Sequence, residues 1–315
     1  MDYKKVIRSR KSREKILRML SFIPDKPMLY IQYYIKTGRM LHLKKPVRFT
    51  EKLQWYKLFY RDQNMIACVD KYDVREYIES KGYSDILCRC YGVFSNAQDL
   101  NADALPKKFV LKDTLGSGGN SIIFCEDKDK MDWPQRMLSL QSWCDTPLVR
   151  DGGREWPYYS GKRHRILAEE YLMTSDKTGL MDYKFFCFNG KVEFIYVCEN
   201  RHSGQSVQIH LASPDYHRLN VSRIGDECSD SLPAKPENYE RMLQIAEDLG
   251  SDFPHVRVDL YNIDGKILFG ELTFFNASGY MLYNPDKFDK EIGDKFLLPP
   301  AHSGSAFAKL ERGVK

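Results

Sequence analysis

The chain has 315 residues, enough for about two domains, and its 43% hydrophobic, 29% charged and 13% aromatic residues are typical of a soluble globular protein. No apolar run approaches the roughly 18 residues of a membrane-spanning helix, and the charged N-terminus lacks the apolar core of a secretory signal. The net charge of +5 is a mild excess that says little about partners. The eight cysteines form no C-x-x-C pair, which favours reduced thiols in a cytoplasmic protein over a zinc site.

The first 60 residues have a helical pattern and begin with a basic segment, "DYKKVIRSRKSREKILRML". It contains eight lysines and arginines and only two acidic residues, Asp2 and Glu14. Ile16, Leu17 and Leu20 belong to a partial apolar face. The segment is either a solvated terminal helix or a basic amphipathic helix that contacts an anionic polymer or the inner surface of a membrane. Nucleic acid is the weakest alternative, because no known reader motif accompanies the charge.

The middle of the chain changes from helical patterns to strand patterns. A helix with Thr50 as its N-cap is expected in "TEKLQWYKLFYRD", and another over "NMIACVDKYDVREYIESKG", ending at Gly82. Strands are expected in "DILCRCYGVFS", "LPKKFVLKDT", "NSIIFCED", "RILAEEYL", "YKFFCFNGKVEFIYVCE" and "QIHLAS", the fifth folding into a hairpin at its Asn-Gly pair. Residues 140–165 form an irregular segment rich in Gly, Trp and Tyr, which is typical of a long loop over a site.

The last part of the chain combines one helix with one hairpin. "KPENYERMLQIAEDLG" predicts the helix, and "HVRVDLYNIDGKILFGELTF" predicts a hairpin that turns at Asp264 and Gly265. The whole order, helices followed by hairpin-rich sheet, predicts an α+β fold rather than an alternating βαβ one.

The last hairpin carries charges inside its strands. Arg257 and Asp259 are two residues apart and share one face, and Glu271 and Thr273 share a face of the returning strand. The turn brings Asp259 and Glu271 roughly opposite one another, where two carboxylates repel unless a cation lies between them. Mg²⁺ is held by one or two carboxylates together with substrate phosphates, so the pair predicts a magnesium site. A solvated charged face with Arg257 as counter-ion is the alternative.

A glycine-rich loop follows the strand "FVLK". Lys112 lies among apolar residues and needs an anionic partner. The backbone N–H groups of Gly116, Ser117, Gly118 and Gly119 can fold over a phosphate chain. The loop joins two strands, unlike the P-loop and the dinucleotide fingerprint, which lead from a strand into a helix. Three glycines alone are weak evidence for a phosphate-binding loop. The prediction depends on their combination with Lys112 and the carboxylates downstream.

These motifs, in this order, resemble the ATP-grasp superfamily over about residues 68–280. "VDKYDVREYI" resembles the helix opening whose lysine, here Lys71, contacts ATP, and "ILAEEYL" resembles the hinge that holds the adenine edge. The resemblance implies Mg²⁺ ligands at Asp259 and Glu271, with Thr273 at the position of the family's asparagine and Asn276 three residues further as the other candidate. The implied ATP-binding residues are Lys71, Lys112, Gly116, Ser117, Gly118, Gly119, Asn120, Glu169, Glu170, Tyr171, Leu172 and Asp176.

The resemblance also implies an architecture. Two α+β lobes with antiparallel sheets enclose the nucleotide, and a mostly helical region precedes them. The expected divisions are a helical region at 1–65, a helical segment and strand at 66–105, a small lobe with the glycine loop at 106–170, a large lobe with the catalytic hairpin at 171–300, and a tail at 301–315.

"DKYDVREY", "LPKKFVLK", "DYKFFCFNGK" and "GELTF..ASG" resemble more closely the TupA-like branch, found among bacterial surface-polysaccharide gene products and often labelled glycosyltransferase. The resemblance implies an ATP- and Mg²⁺-dependent ligase that joins a carboxylate to an amine through an acyl phosphate, with a uronic-acid sugar or polymer and an amino compound as substrates. Arg257, Lys184 and Arg201 are its expected catalytic residues. The alternatives are a nucleotide-sugar glycosyltransferase, a sugar phosphotransferase and a non-catalytic scaffold.

Several other residues have weaker assignments. Asp176 is a candidate for the ribose, and Arg201 with His202 for the acceptor. Asp182 is expected to be structural at a strand start. Ordinary polar contacts are expected for His164 and His210, and sugar stacking is a candidate role for Trp156, Tyr158 and Tyr159.

Overall fold

The computed structural model describes residues 9–116, 121–150, 152–173, 180–201, 206–227 and 231–301. The helices of this part are α1 Arg10–Met19, α2 Asp25–Thr37, α3 Phe49–Phe59, α4 Asn64–Cys68, α5 Val74–Ser80, α6 Trp133–Cys144, α7 Tyr239–Gly250 and α8 Phe288–Lys295. The strands are β1 Cys90–Phe94, β2 Phe109–Asp113, β3 Ile122–Cys125, β4 Ile166–Glu169, β5 Leu180–Phe188, β6 Lys191–Arg201, β7 Gln208–Ala212, β8 Ser222–Arg223, β9 His255–Ile263, β10 Lys266–Thr273 and β11 Tyr283–Asn284. Within these ranges no helix combines the length and apolar character needed to cross a bilayer.

Two antiparallel sheets form the body of the protein. The smaller has the strand order β1-β4-β2-β3, and the larger has the order β10-β9-β5-β6-β7. A short pair, β11-β8, lies beside them. Every pairing within these three sheets is antiparallel, so the predicted α+β fold with antiparallel sheets is confirmed.

The larger sheet holds most of the core because its central strands are apolar on both faces. Phe185, Phe186 and Ile195 of β5 and β6 are fully buried. The two strands meet at the predicted turn, where Asn189 and Gly190 have φ values of 51° and 78°. Two consecutive left-handed residues match the twist of the hairpin, and Asn-Gly is the pair that adopts them most easily.

Two helical predictions are wrong in detail. Helix α3 begins at Phe49 after Arg48, and Thr50 instead donates its hydroxyl to Asp289 at 2.8 Å. The helix predicted to end at Gly82 is broken into α4 and α5, because the Asp70 carboxylate accepts the N–H groups of the next residues. Lys71 between them donates its backbone N–H to Thr114 at the end of the small sheet.

The irregular segment predicted at residues 140–165 is shorter than expected. Helix α6 continues to Cys144, and a 3-10 turn covers Trp156–Tyr159. Arg154, which is 1% exposed, donates to the carbonyl oxygens of Leu20 and Ile23 at 2.8 and 2.7 Å and to Asp25 at 3.1 Å. This arginine therefore fastens the N-terminal helices to the segment beside the cleft.

Candidate active site

A β-bulge in the last hairpin determines which side chains face the cleft. The pairing runs regularly from Lys266 opposite Ile263 to Phe269 opposite Leu260, and then places Glu271 opposite Asp259. The extra residue is Gly270, and without it Glu271 would turn to the opposite face of the sheet. A Cβ at Gly270 would lie 3.1 Å from the Asp259 carbonyl oxygen. The bulge therefore produces the pair of facing carboxylates that the sequence predicts.

Arg257 is the centre of the charges on this face. Its Nε and Nη2 donate to the two carboxylate oxygens of Asp259, both at 2.6 Å. Nη2 also donates to Glu271 Oε1 at 2.8 Å, and Nη1 donates to Asn276 Oδ1 at 2.5 Å. One guanidinium group thus holds the two predicted metal ligands and the neighbouring amide in a single network.

A second cation reaches the same face from β5. Lys184 Nζ donates to Asp182 Oδ2 at 2.7 Å and to Asp259 Oδ2 at 2.5 Å. Lys184 pairs with Asp259 in the register between β5 and β9, so the contact follows from the strand alignment. The face therefore contains three carboxylates and two cations within one hydrogen-bonded cluster.

The cluster shifts the pKa values of its members in different directions. Burial favours the neutral form of Glu271, but Arg257, Lys184 and Lys71 overcome it and lower its pKa to about 2. Burial raises the pKa of Asp259, against the opposing effect of Arg257 and Lys184. The two carboxylates raise the pKa of Arg257 despite its burial. Glu271 is therefore an anion at neutral pH, as a magnesium ligand must be.

Two lysines lie on the other side of the cleft, Lys112 on the small sheet and Lys71 in the segment that contacts its end. Lys112 Nζ donates to Glu169 Oε2 at 2.8 Å, and this carboxylate raises the pKa of Lys112 against the effect of burial. Lys71 Nζ donates to the backbone oxygens of Asp113 at 3.2 Å and of Gly116. Burial lowers the pKa of Lys71. Two lysines are thus held at the base of the glycine loop, where a phosphate chain could meet them.

These groups surround one cleft with a volume of about 570 Å³. It lies between the two sheets, because its walls come from β2 and β3 on one side and from β5, β6, β9 and β10 on the other. Predicted site residues on its small-sheet side are Lys71, Lys112, Gly116, Glu170 and Leu172. Those on its large-sheet side are Lys184, Arg257, Asp259, Glu271, Thr273 and Asn276.

Other predicted residues are placed differently. Glu169 lines a small neighbouring cavity and pairs with Lys112 and with Arg75 at 3.5 Å. Tyr171 is not among the residues that line the cleft, and its ring meets Phe124 edge-on at 6.0 Å. The predictions for Ser117, Gly118, Gly119, Asn120, Asp176 and His202 and for the side chain of Arg201 lie outside the described residues.

The donor set suits a magnesium ion that shares its ligands with phosphates. No group of three or more His, Cys, Asp or Glu side chains in the described ranges forms a metal site by itself. Asp259 and Glu271 offer two carboxylates, and the Thr273 hydroxyl donates to Glu271 at 3.1 Å. The Asn276 oxygen already accepts from Arg257, while its buried Nδ2 has no partner among the described atoms. Two carboxylates completed by phosphate oxygens are a common magnesium arrangement.

Three features were missed or undervalued at the sequence level. Asp182 is 1% exposed, lines the cleft and holds Lys184, although the sequence indicated only a structural strand start. Its two-residue spacing from Lys184 was the available signal. Lys57 of α3 is equally buried and donates to the carbonyl oxygens of Ser278 and Gly153 at 2.8 and 2.7 Å. The bulge at Gly270 had no signal beyond the glycine itself.

Among the remaining candidates, only Tyr158 is one of the residues that line the cleft. Trp156 is buried under Arg61 in a cation–π contact at 4.9 Å. His164 contacts Asp113 at 2.8 Å, and His210 contacts Glu199 at 2.8 Å. Tyr159 lies 3.4 Å from Asp25 and belongs to the contact with the N-terminal helices.

A family model described as TupA-like ATPgrasp matches residues 51–297. Similar solved structures include D-alanine–D-alanine ligase from Bacillus anthracis, at 16% identity and a TM-score of 0.41, over 66% of this chain and 57% of that chain. N5-carboxyaminoimidazole synthetase from Staphylococcus aureus complexed with ADP has 11% identity and a TM-score of 0.42, over 67% and 46%. D-Cycloserine synthetase has 14% identity and a TM-score of 0.41, over 74% and 72%. The chain spans about half the length of the first structures it matches, and comparison with curated proteins gave no match.

Proposed function

The chain belongs to the TupA-like ATP-grasp family, and we propose that it is an ATP- and magnesium-dependent ligase that joins a carboxylate to an amine. The observation that supports this most is the composition of the cleft of about 570 Å³ between the two sheets. It combines Lys112 of the small sheet and Lys71 beside that sheet with an Arg257-centred pair of facing carboxylates on the large sheet. Cations for a phosphate chain and oxygen ligands for its metal ion are thus within one cavity.

The proposed reaction has two steps. A carboxylate oxygen of the acceptor attacks the γ-phosphorus of ATP, and the bond to the ADP oxygen breaks. The amine nitrogen then attacks the acyl carbon, loses a proton and expels phosphate. Magnesium, when bound, would neutralise charge on the transferring phosphoryl group, and the protein contributes mainly positioning and electrostatic stabilisation.

Each cleft residue has a proposed part in these steps. Lys71 and Lys112 bind the phosphates on the side of the cleft that contains Gly116, and Lys184 binds the γ-phosphate from β5. Asp259 and Glu271 hold the metal ion, because they are the two facing carboxylates of the hairpin. Arg257 stabilises the acyl phosphate. It must first exchange part of its contact with Glu271, which is 45% exposed and can move.

The proposal also includes the class of each substrate and contact of the protein with a membrane. The resemblance to TupA-like sequences favours a uronic-acid-containing surface polysaccharide, or its precursor, as carboxylate and an amino acid or other amino compound as amine. The basic N-terminus favours peripheral contact with the cytoplasmic face of a membrane. The divisions at residues 65, 105, 170 and 300 remain part of this proposal, as does Arg201 as an acceptor residue.

Glu271→Gln and Asp259→Asn test the function. Wild-type protein is expected to release ADP and phosphate only when ATP, Mg²⁺, a uronic acid and an amine are all present, with a panel of glucuronate, galacturonate and amino acids as probes. Both variants are expected to lose this release by about a hundredfold or more, as for other groups that stabilise transition-state charge. Glu291→Gln is the matched control, because Glu291 forms an exposed pair with Lys287 on α8.

Other results would point to the alternative functions. Phosphate transferred to a sugar hydroxyl would identify a sugar kinase. A UDP-sugar that raises the melting temperature where MgATP does not would identify a glycosyltransferase. Unchanged ADP release in Glu271→Gln would refute the proposed metal site.

A further inference from the structure

Helix α2 has an inner face that fixes it to the protein. Leu29 and Tyr33 are fully buried there, in a core cluster separate from that of the large sheet. The Tyr33 hydroxyl forms a hydrogen bond with Thr50 at 2.9 Å, and the Tyr280 hydroxyl donates to Gln32 at 2.7 Å. These contacts hold the inner face of the helix against the protein, so its opposite face points away from the core.

The outer face of α2 is apolar as well. Ile31, Tyr34 and Ile35 share one face by their spacing and are 49%, 57% and 46% exposed. Phe22 before the helix and Met40 after it are 79% and 64% exposed. A surface helix of a globular protein normally has a polar outer face, so exposed apolar side chains of this kind, on the helix and at both of its ends, need a cover.

The charge of the protein is concentrated in the same region. Residues 1–48 contain 14 lysines and arginines but only 3 acidic residues. The rest of the chain contains 34 lysines and arginines and 40 acidic residues. Lys15 and Arg18 before the apolar row, and Lys44 and Lys45 after it, are exposed. In the sequence, basic residues therefore flank the apolar helix face on both sides, and the rest of the chain has a negative net charge.

We propose that the outer face of α2, with Phe22 and Met40, docks on the surface of an anionic lipid bilayer. The aliphatic and phenyl side chains enter the boundary between headgroups and acyl chains, and Tyr34 keeps its hydroxyl at headgroup level. The flanking lysines and arginines contact the anionic headgroups. Apolar area and basic charge are the two signals that together give stable peripheral binding.

Other occupants fit the same surface less well. A second copy bound through this face would bring two strongly basic regions together, which is unfavourable. A nucleic acid would use the charge but would leave the aliphatic row exposed. The bilayer satisfies both features, and its binding is independent of the ligase chemistry proposed for the cleft.

Vesicle sedimentation tests the proposal with the full-length protein. The wild type is expected to sediment with vesicles of phosphatidylcholine and phosphatidylglycerol, to bind phosphatidylcholine alone much more weakly, and to dissociate as salt rises. The double variant Ile31→Ser, Ile35→Ser is expected to lower partitioning roughly tenfold or more, because two inserted aliphatic side chains are lost. Leu138→Ser is the matched control, because Leu138 is 75% exposed on α6.

A second double variant helps to distinguish a loss of membrane binding from a loss of folding. Lys44→Glu, Lys45→Glu alters only exposed side chains and is expected to weaken binding to anionic vesicles by a similar factor. Unchanged circular dichroism and unchanged stabilisation by MgADP show that each variant is folded and that its cleft is intact. Sedimentation of both variants equal to the wild type would overturn the proposal. The proposal would also be overturned if the wild type formed a dimer that does not bind vesicles and the double variant Ile31→Ser, Ile35→Ser were a monomer.

Discussion

His255 provides a quantitative test of how the large sheet is built. It is the first residue of β9, two residues before Arg257, and it is 0% exposed. Its Nδ1 donates to the Cys187 carbonyl oxygen at 2.9 Å, and its ring stacks on Phe188 at 4.6 Å between centroids. Its pKa is lowered to about 3, mainly by burial; the hydrogen bond to Cys187 opposes the shift and the charge of Arg257 adds to it. Protonation would also place a second cation beside Arg257.

The sign and size of the effect follow from proton linkage. The folded-state pKa of His255 lies below the ordinary value of 6.5, so only the unfolded chain takes up the proton between these values. The contribution of His255 to stability is therefore fully present above pH 6.5 and declines as pH falls, by about 1.4 kcal/mol per pH unit. Between pH 7.5 and pH 5 the free energy of unfolding should fall by about 2 kcal/mol from this group alone. For a chain of this length that equals a decrease of about 3 °C in melting temperature.

His255→Phe removes the titrating group and keeps an aromatic ring in the aromatic cluster. Urea denaturation at pH 5 and pH 7.5 should show that the variant loses about 2 kcal/mol less between these values than the wild type does. The same substitution at the exposed His217 is the control and should leave the wild-type pH dependence intact. Equal pH dependence in wild type and His255→Phe would show that the buried ring is not held neutral.

Two further predictions concern groups that position the cleft. Lys57→Met should lower the free energy of unfolding by about 2 kcal/mol in urea denaturation, because the partly buried carbonyl oxygens of Ser278 and Gly153 lose a charged donor. An unchanged midpoint would contradict this. Gly270→Val should abolish Mg²⁺-dependent ADP release without unfolding the protein, because its side chain would meet the Asp259 carbonyl oxygen and disturb the bulge. Wild-type rates in Gly270→Val would show that the register of Glu271 does not matter.

The sequence predicted those elements whose signals are local. Both hairpin turns were found because Asn-Gly and Asp-Gly pairs favour left-handed backbone wherever they occur, and Asn189 and Asp264 both have positive φ. The break between α4 and α5 was not predictable in this way. It depends on the Asp70 side chain and on a hydrogen bond from Lys71 to Thr114, 43 residues away. Helical periodicity continues across that break, so tertiary contacts decide it.

The candidate site also contains residues that local sequence signals predicted and residues whose roles depend on tertiary contacts. Alternation along β9 placed Arg257 and Asp259 on one face, but Glu271 joins that face only through the bulge at Gly270. Its position in an apolar strand indicated Lys112, and the family resemblance supplied Lys71. Asp182 was undervalued although its partner Lys184 lies two residues away on the same strand. Lys57 gave no such local signal, because its carbonyl partners come from other elements. For Lys57 these partners are the turn at Asn276–Gly279 and the segment near Gly153.

The electrostatics of the cleft connect these observations with the proposed chemistry. Lys112, Lys184 and Arg257 are each paired with protein carboxylates, and the contacts of Lys71 described above are with backbone oxygens. Phosphates entering alone would have to compete with these carboxylates, and a metal ion entering alone would have to compete with the cations. Magnesium bound to a nucleotide brings both charges together, so the carboxylates can turn to the metal while the lysines and Arg257 turn to phosphate oxygens. We therefore expect the cleft to exchange its ion pairs for contacts with a metal–nucleotide complex, because the complex can compensate both the carboxylates and the cations that it separates.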